Sequence, residues 1–352
     1  MPLGLVSALT VASCIAVTSL STVAPAAAVP IAPTDPASAG CSDVSVASSL
    51  IPSGPKTDSV YGQFCDVGTS DTLQILVAGA TYDHTYWNFP GFGGKYSYSD
   101  YANGAGYSTL AIDQLGVGRS SKAPGITVTA LSHANAIHDV VQAARNGELG
   151  RQWNNVVLVG HSFGTLAALI EASVFDDVDG IVASGASHVP GPLAIAGVVG
   201  SVRIAEQDPL TTDAVPPGDI GYLSTVDLRA TEFHDPADSD PAVVAADEAN
   251  RQAGTAGMFL TIPAYIPATL NIRVPVLLAN GTRDRVFCAQ GDGLSLTDCA
   301  SADALYRSEK PFYPNADVEA YVLPGAGHSM NLALNSRDFF ARATEWISAH
   351  VG

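Results

Sequence analysis

Asn155-Val156-Val157-Leu158-Val159-Gly160-His161-Ser162-Phe163-Gly164 is the stretch on which the reading of this chain turns. The run Asn155–Val159 is apolar and β-branched, the composition of a strand buried on both faces. It runs into Gly160, and the stretch from Gly164 to Val174 reads as a helix. Gly-x-Ser-x-Gly alone is a weak signal, because glycine and serine are common in this chain. Set between a strand and a helix, it describes a sharp turn that lifts a serine hydroxyl above the sheet edge. The glycines fall where neighbouring backbones must pack closely. Ser162 is therefore the candidate nucleophile.

Outward from this point the same rhythm recurs. Thr72–Val77, Thr109–Ile112, Gly180–Ala183, Val274–Ala279 and Val318–Leu323 are short apolar runs that read as buried strands. Ser132–Asn146 carries Ala134, Ile137, Val141 and Ala144 at helical spacing, and Asn335–His350 places Phe339, Ala343, Trp346 and Ile347 on one side of a terminal helix. Two alternating runs, Asp43–Ala47 and Ser59–Phe64, predict a hairpin at the start. Strands alternating with helices give an α/β fold, with a mostly parallel central sheet flanked by helices. Residues 188–272 break the rhythm. They are rich in Pro, Asp and Ala, and hold two apolar patches, Leu193–Val202 and Met258–Ile266. This segment is expected to be an insertion lying over one end of the sheet as a lid, between core parts 41–187 and 273–352.

At 47% hydrophobic and 14% charged, the chain has ample material for one large core. Its 34 acidic against 16 basic residues give a net charge of −18, which disfavours nucleic-acid and anionic-membrane partners. The first 28 residues carry no charge and end in Ala26-Ala27-Ala28, so they read as a secretory signal peptide. Residues 29–40, rich in Pro and Ala, read as a linker, and no later stretch reads as a membrane anchor. A secreted chain shorn of Cys14 keeps Cys41, Cys65, Cys288 and Cys299, an even number for which three pairings are open. The sequence-local pairing, Cys41 with Cys65 and Cys288 with Cys299, is the expectation. Neither pair has zinc-site spacing, and no metal is expected.

A serine hydroxyl needs a base. His328 follows the last strand in Pro324-Gly325-Ala326-Gly327-His328-Ser329, where small residues let a loop present it. His133 and His138 lie on a helix, His161 sits inside the turn itself, and His84, His188 and His234 come too early in the chain. The acid that orients the base is expected after the strand Val274–Ala279, at Asp284, with Asp292 and Asp298 as alternatives inside the Cys288–Cys299 loop. A disulfide there would brace the acid's loop by about 2–3 kcal/mol. The oxyanion needs two backbone donors. Phe163 supplies one, and the turn Gly79-Ala80-Thr81-Tyr82 supplies the other from Ala80 or, as an alternative, Thr81.

With these residues in place, the chain from about residue 71 onward, apart from the insertion, resembles the α/β-hydrolase superfamily. Ala78–Trp87 is similar to the HG-x-x-x-x-x-x-x-W block that supplies the oxyanion hole there, with Ala78 where a His is usual. Asp113–Ser120 resembles that family's D-x-x-G-x-G-x-S turn and reads as structural. Epoxide hydrolases and dehalogenases of the superfamily place Asp at the nucleophile position, whereas this chain has Ser162. The resemblance thus implies a cofactor-free serine esterase or lipase acting on a hydrophobic or lipid-like ester. A lactonase, a perhydrolase or carbon–carbon hydrolase with the same triad, and a non-catalytic binding protein are the alternatives. Tyr82, Trp87, His161, Met258 and Phe259 are the expected substrate contacts. The aromatic residues after the oxyanion turn either wall the pocket or belong to the core, and the two apolar patches either line the pocket or pack on the sheet. Gly91–Asp100 is expected to form a mobile rim. Oligomeric state is left open.

Overall fold

The apolar runs of the sequence are strands covered on both faces. In the computed structural model, which describes residues 40–68 and 70–352, alternate residues of each strand feed opposite layers. The leader expected at 1–28 and the linker expected at 29–40, Gly40 apart, lie outside the described residues. Among the described residues, no helix is long and apolar enough to cross a membrane.

The strands are β1 (Cys41–Ser48), β2 (Asp58–Cys65), β3 (Thr72–Val77), β4 (Ser108–Ile112), β5 (Asn155–His161), β6 (Gly180–Ser184), β7 (Val202–Ile204), β8 (Tyr222–Thr225), β9 (Gly254–Thr255), β10 (Val276–Gly281) and β11 (Val318–Leu323). Eight of them form one sheet in the order β1-β2-β4-β3-β5-β6-β10-β11. The first two join antiparallel as the expected hairpin, with Cys41 paired to Cys65, and β2 meets β4 antiparallel. From β4 to β11 every pairing is parallel. Within β5, Val156 and Leu158 enter one core layer, Val157 and Val159 the other. Both disulfides follow the sequence-local pairing, Cys41–Cys65 across the hairpin and Cys288–Cys299 in the loop after β10.

The helices are α1 (Tyr98–Gly104), α2 (Ala130–Asn146), α3 (Phe163–Phe175), α4 (Pro192–Ser201), α5 (Pro241–Ala249), α6 (Ala256–Thr261), α7 (Tyr265–Ala268), α8 (Ala302–Glu309) and α9 (Ser336–His350). Helices α2 and α3 supply the first core layer, whereas α1 and α9 supply the second. Helix α2 starts two residues before its apolar spacing does, because Thr129 and Ser132 cap it reciprocally. Within Gly91–Asp100, the segment expected as a rim, Phe92 packs on Phe89 and Tyr96, and Ser97 caps α1.

The chain between β6 and β10 builds α4 to α7 and the small antiparallel sheet β7-β8-β9, with its own apolar cluster of Ala205, Val215, Tyr222 and Ala253. Both ends of this stretch are fastened to the core by one buried histidine. His188 Nδ1 lies 2.6 Å from Glu309 Oε2 and its Nε2 2.9 Å from Thr269 Oγ1, while its ring stacks on Phe312.

The sheet order also places the site. The chain leaves β3 for β4 on one side and returns to β5 on the other. Loops from the carboxyl ends of β3 and β5 therefore part at this switch point and leave a crevice between them.

Candidate active site

The turn between β5 and α3 holds Ser162 at φ 52° and ψ −124°. Positive φ is costly for a residue with a Cβ, so the surroundings must enforce it. The Ser162 amide donates to the Ser184 carbonyl at 2.9 Å, and Thr165 Oγ1 donates to the same oxygen at 2.8 Å. A Cβ at Gly160 would strike the Thr165 backbone, and one at Gly164 would strike the Val77 and Ala78 carbonyls. Both glycines of the motif are thus demanded by close backbone approach.

His328 lies on the loop after β11 and Asp284 on the loop after β10, both buried. Asp284 Oδ2 is 3.0 Å from His328 Nδ1, and His328 Nε2 is 2.9 Å from Ser162 Oγ. A carboxylate can only accept, so Nδ1 donates to Asp284 and Nε2 is left to accept the serine proton. The other carboxylate oxygen, Oδ1, accepts from the amides of Val286 at 2.8 Å and Phe287 at 3.1 Å, which fixes the acid's orientation. Asp284 makes no pair with its arginine neighbours: Arg283 goes to Asp235 and Asp292, and Arg285 to Glu232. The alternative acids are turned elsewhere, Asp292 to Arg283 and Asp298 to Gln290.

Ser162, His328, Phe163, Ala80 and Thr81 share the wall of one cavity of about 380 Å³. The rest of its lining is almost entirely carbon, including Leu166, Ile195, Val198, Leu228, Ile262 and Phe287. Both apolar patches of the 188–272 segment contribute, so they line the pocket. Of the five expected contacts only Phe259 does so. Trp87 is fully buried against Tyr86 and Tyr98, and Met258 is buried in the layer with α2 and α3. Tyr82 and His161 do not line the cavity; His161 packs between the rings of Tyr82 and His328. The Tyr82 hydroxyl donates to Asp247 Oδ2 at 2.9 Å, and the His161 ring stacks on Tyr86 with Nε2 3.2 Å from the His328 carbonyl. Burial and the facing His328 hold the His161 imidazole well below its ordinary range, so it stays neutral.

Asp113 is structural, as read: its carboxylate accepts from the amides of His84 and Arg119 and so ties two loops together. The β3 turn has a constraint of its own. Tyr82 N donates to Gly79 O at 3.2 Å, and Thr81, a β-branched residue, sits at φ 61°. Its carbonyl is held by Gln252 N at 3.0 Å and by Arg229 Nη2 at 2.6 Å. Arg229 is fully buried, and its Nε has no hydrogen-bond partner among the described residues. It reaches Thr225 Oγ1 at 2.8 Å and lies 4.5 Å over the Tyr82 ring. Nothing in the sequence around Leu228-Arg229-Ala230 marks this residue, because the Thr81 carbonyl that it holds lies 148 positions away.

Two expected outcomes arise from this site. Arg229→Met keeps the volume but removes one of the two donors to the Thr81 carbonyl, leaving Gln252 N alone on it; kcat should fall about 10- to 100-fold with KM little changed. A rise in KM alone would mean that Arg229 serves binding instead. His133, on α2 with its ring edge-on to Phe163, has neither ring nitrogen hydrogen-bonded among the described residues, and burial pushes it down to about 3. Between an unfolded value near 6.5 and 3, only the unfolded chain takes up the proton, so this group makes stability fall as pH drops. His133→Leu should shrink the loss of urea stability between pH 7 and pH 4 by up to about 3 kcal/mol. An unchanged loss would contradict the reading.

The sequence profile of the alpha/beta hydrolase family matches residues 74–343. In fold the chain is similar to an esterase from Thermogutta terrifontis, with 17% identity over 88% of this chain and 100% of that one and a TM-score of 0.57. It is also similar to a monoacylglycerol lipase from Paleococcus ferrophilus, at 20% identity over 83% and 99% with a TM-score of 0.55. An esterase from Pyrococcus furiosus gives 14% identity over 89% and 92%, and a TM-score of 0.54. No curated protein matches the sequence. With its parallel sheet, its strand-to-helix serine turn and a profile match across most of its length, the chain belongs to the alpha/beta hydrolase family.

Proposed function

We propose that this chain is a secreted serine hydrolase that cleaves hydrophobic carboxylic esters through an acyl-enzyme on Ser162. The observation that carries the reading is the Asp284–His328–Ser162 relay opening onto a carbon-walled cavity. His328 Nε2 takes the hydroxyl proton as Ser162 Oγ attacks the ester carbonyl, and Asp284 stabilises the resulting imidazolium. The oxyanion forms against the amides of Phe163, at the start of α3, and Ala80. His328 then returns the proton to the leaving alcohol and activates water against the acyl-enzyme.

The segment 188–272 acts as the lid, and its α4 and α6–α7 residues form the acyl pocket. A volume of about 380 Å³ lies in the lower part of the range for small-molecule sites, roughly 300–1,000 Å³. Two disulfides support export. The similarity to two esterases and a monoacylglycerol lipase supports the ester class. Hydrolysis of nitrophenyl esters from acetyl to palmitoyl tests the proposal. Turnover should peak at one chain length and fall on both sides. A folded protein inert toward every ester would direct attention to a lactone or to carbon–carbon cleavage.

A further inference from the structure

Away from the triad, helices α2 and α3 bring together three side chains with metal-ligand chemistry. His138 projects from α2, Glu171 from α3, and Asp177 from the turn after α3. One ligand atom from each, a His138 ring nitrogen and a carboxylate oxygen from the other two, lies within 4.8 Å of the others. Glu171 is fully buried and its carboxyl faces that of Asp177; while both are ionised, neither Glu171 oxygen has a hydrogen-bond donor among the described residues. Asp177 Oδ1 and His138 Nδ1 are also buried and unbonded. His138 Nδ1 stands 2.7 Å from Asp177 Oδ2 without hydrogen-bond alignment.

Three buried carboxylate oxygens without a hydrogen-bond partner, beside a close His138–Asp177 contact, are unusual in a protein interior and ask for a shared partner. The neighbouring side chains orient the cluster without satisfying it. Gln142 Nε2 donates to Asp177 Oδ2 at 2.6 Å, and the His138 ring lies flat on Phe175 at 3.9 Å. Arg145 is committed to the Asp179 carboxylate and to the carbonyls of Trp153, Asn154 and Asp177. Burial and the adjacent Asp177 push Glu171 well above the usual carboxylate range, so two bare carboxylates are costly there.

We propose that His138, Glu171 and Asp177 form a divalent-cation site of the zinc type that ties α2 to the end of α3. One divalent ion neutralises both carboxylates and satisfies the unbonded atoms together. An imidazole nitrogen with two carboxylates suits zinc better than calcium or magnesium, which prefer all-oxygen shells. Glu171 closes the inner side, while His138 and Asp177 remain 25% and 17% exposed, leaving a solvent-facing position for a water ligand. Its role is structural. Ser162 lies nine residues before Glu171, about 13 Å along a helix.

The test uses the whole protein, stripped with EDTA and dialysed, then melted with zinc, calcium or magnesium chloride. Zinc at micromolar concentration should raise Tm by about 5 °C, with calcium and magnesium giving less. One zinc per chain should survive gel filtration. Glu171→Gln should lose the zinc shift. Its amide can still donate to Asp177 Oδ1, so the variant should melt no lower than the metal-free parent. The competing arrangement is a protonated Glu171 that donates to Asp177 Oδ1 with no ion present. In that case neither protein responds to any metal, and the proposal is overturned. An equal zinc shift in both proteins overturns it too, because the ion then sits elsewhere. Should Glu171→Gln fail to fold, Asp177→Asn carries the comparison alongside the wild-type melting and zinc content.

Discussion

Ser162→Ala is expected to lower kcat on the best nitrophenyl ester by about a millionfold while leaving the melting curve close to that of the parent. The loss is large because the serine, the histidine and the acid act as a unit: with no hydroxyl at 2.9 Å, His328 Nε2 has no proton to take. The fold should tolerate the change. Alanine occupies φ 52° no less readily than serine, and the bonds that enforce the turn run through the Ser162 amide and Thr165, not through the lost oxygen. More than a few per cent of activity in a folded variant would mean that another residue is the nucleophile.

Asp284→Asn is expected to cost about 10⁴ in kcat, for a reason visible in the acid's own contacts. The Oδ1 position accepts from the amides of Val286 and Phe287, so an asparagine must place its carbonyl oxygen there. Its NH₂ then faces His328 Nδ1 and turns that nitrogen into an acceptor. The proton moves to Nε2, where it meets the serine hydroxyl instead of receiving from it. Asp292→Asn should leave kcat within about twofold, because Asp292 faces Arg283 and solvent. If Asp292→Asn were the damaging change, the acid would be misassigned. Steady-state kinetics on both variants, each with a melting curve, separate the outcomes.

What could be read beforehand depended on how local the cause was. Asn155–Val159 could be placed as a central strand because a strand covered on both faces shows an unbroken apolar run, and the two core layers account for each residue. His328 and Asp284 were legible because each follows a strand in a loop of small or polar residues. The start of α2 was not, since the capping box at Thr129 lies outside the apolar period. The pocket wall was the least legible part. Ala256–Ile266 is apolar nearly throughout, so no period tells which side faces the cavity; Phe259 lines it, and the adjacent Met258 points into the core. Tyr82 has the composition of a pocket aromatic, yet its hydroxyl is bound to Asp247, 165 residues away. Arg229 hid for the same reason. Contacts this remote leave no trace in spacing.

Everything proposed for this site depends on Ser162 being a nucleophile activated by His328. That activation is tested most directly by intact-mass measurement after treatment with a fluorophosphonate, which phosphonylates an activated serine hydroxyl. One adduct per chain is expected, located on the peptide that carries Ser162, with no adduct in Ser162→Ala or His328→Ala. An adduct on a different serine, or an unmodified wild-type protein under conditions that label a known serine esterase, would contradict it.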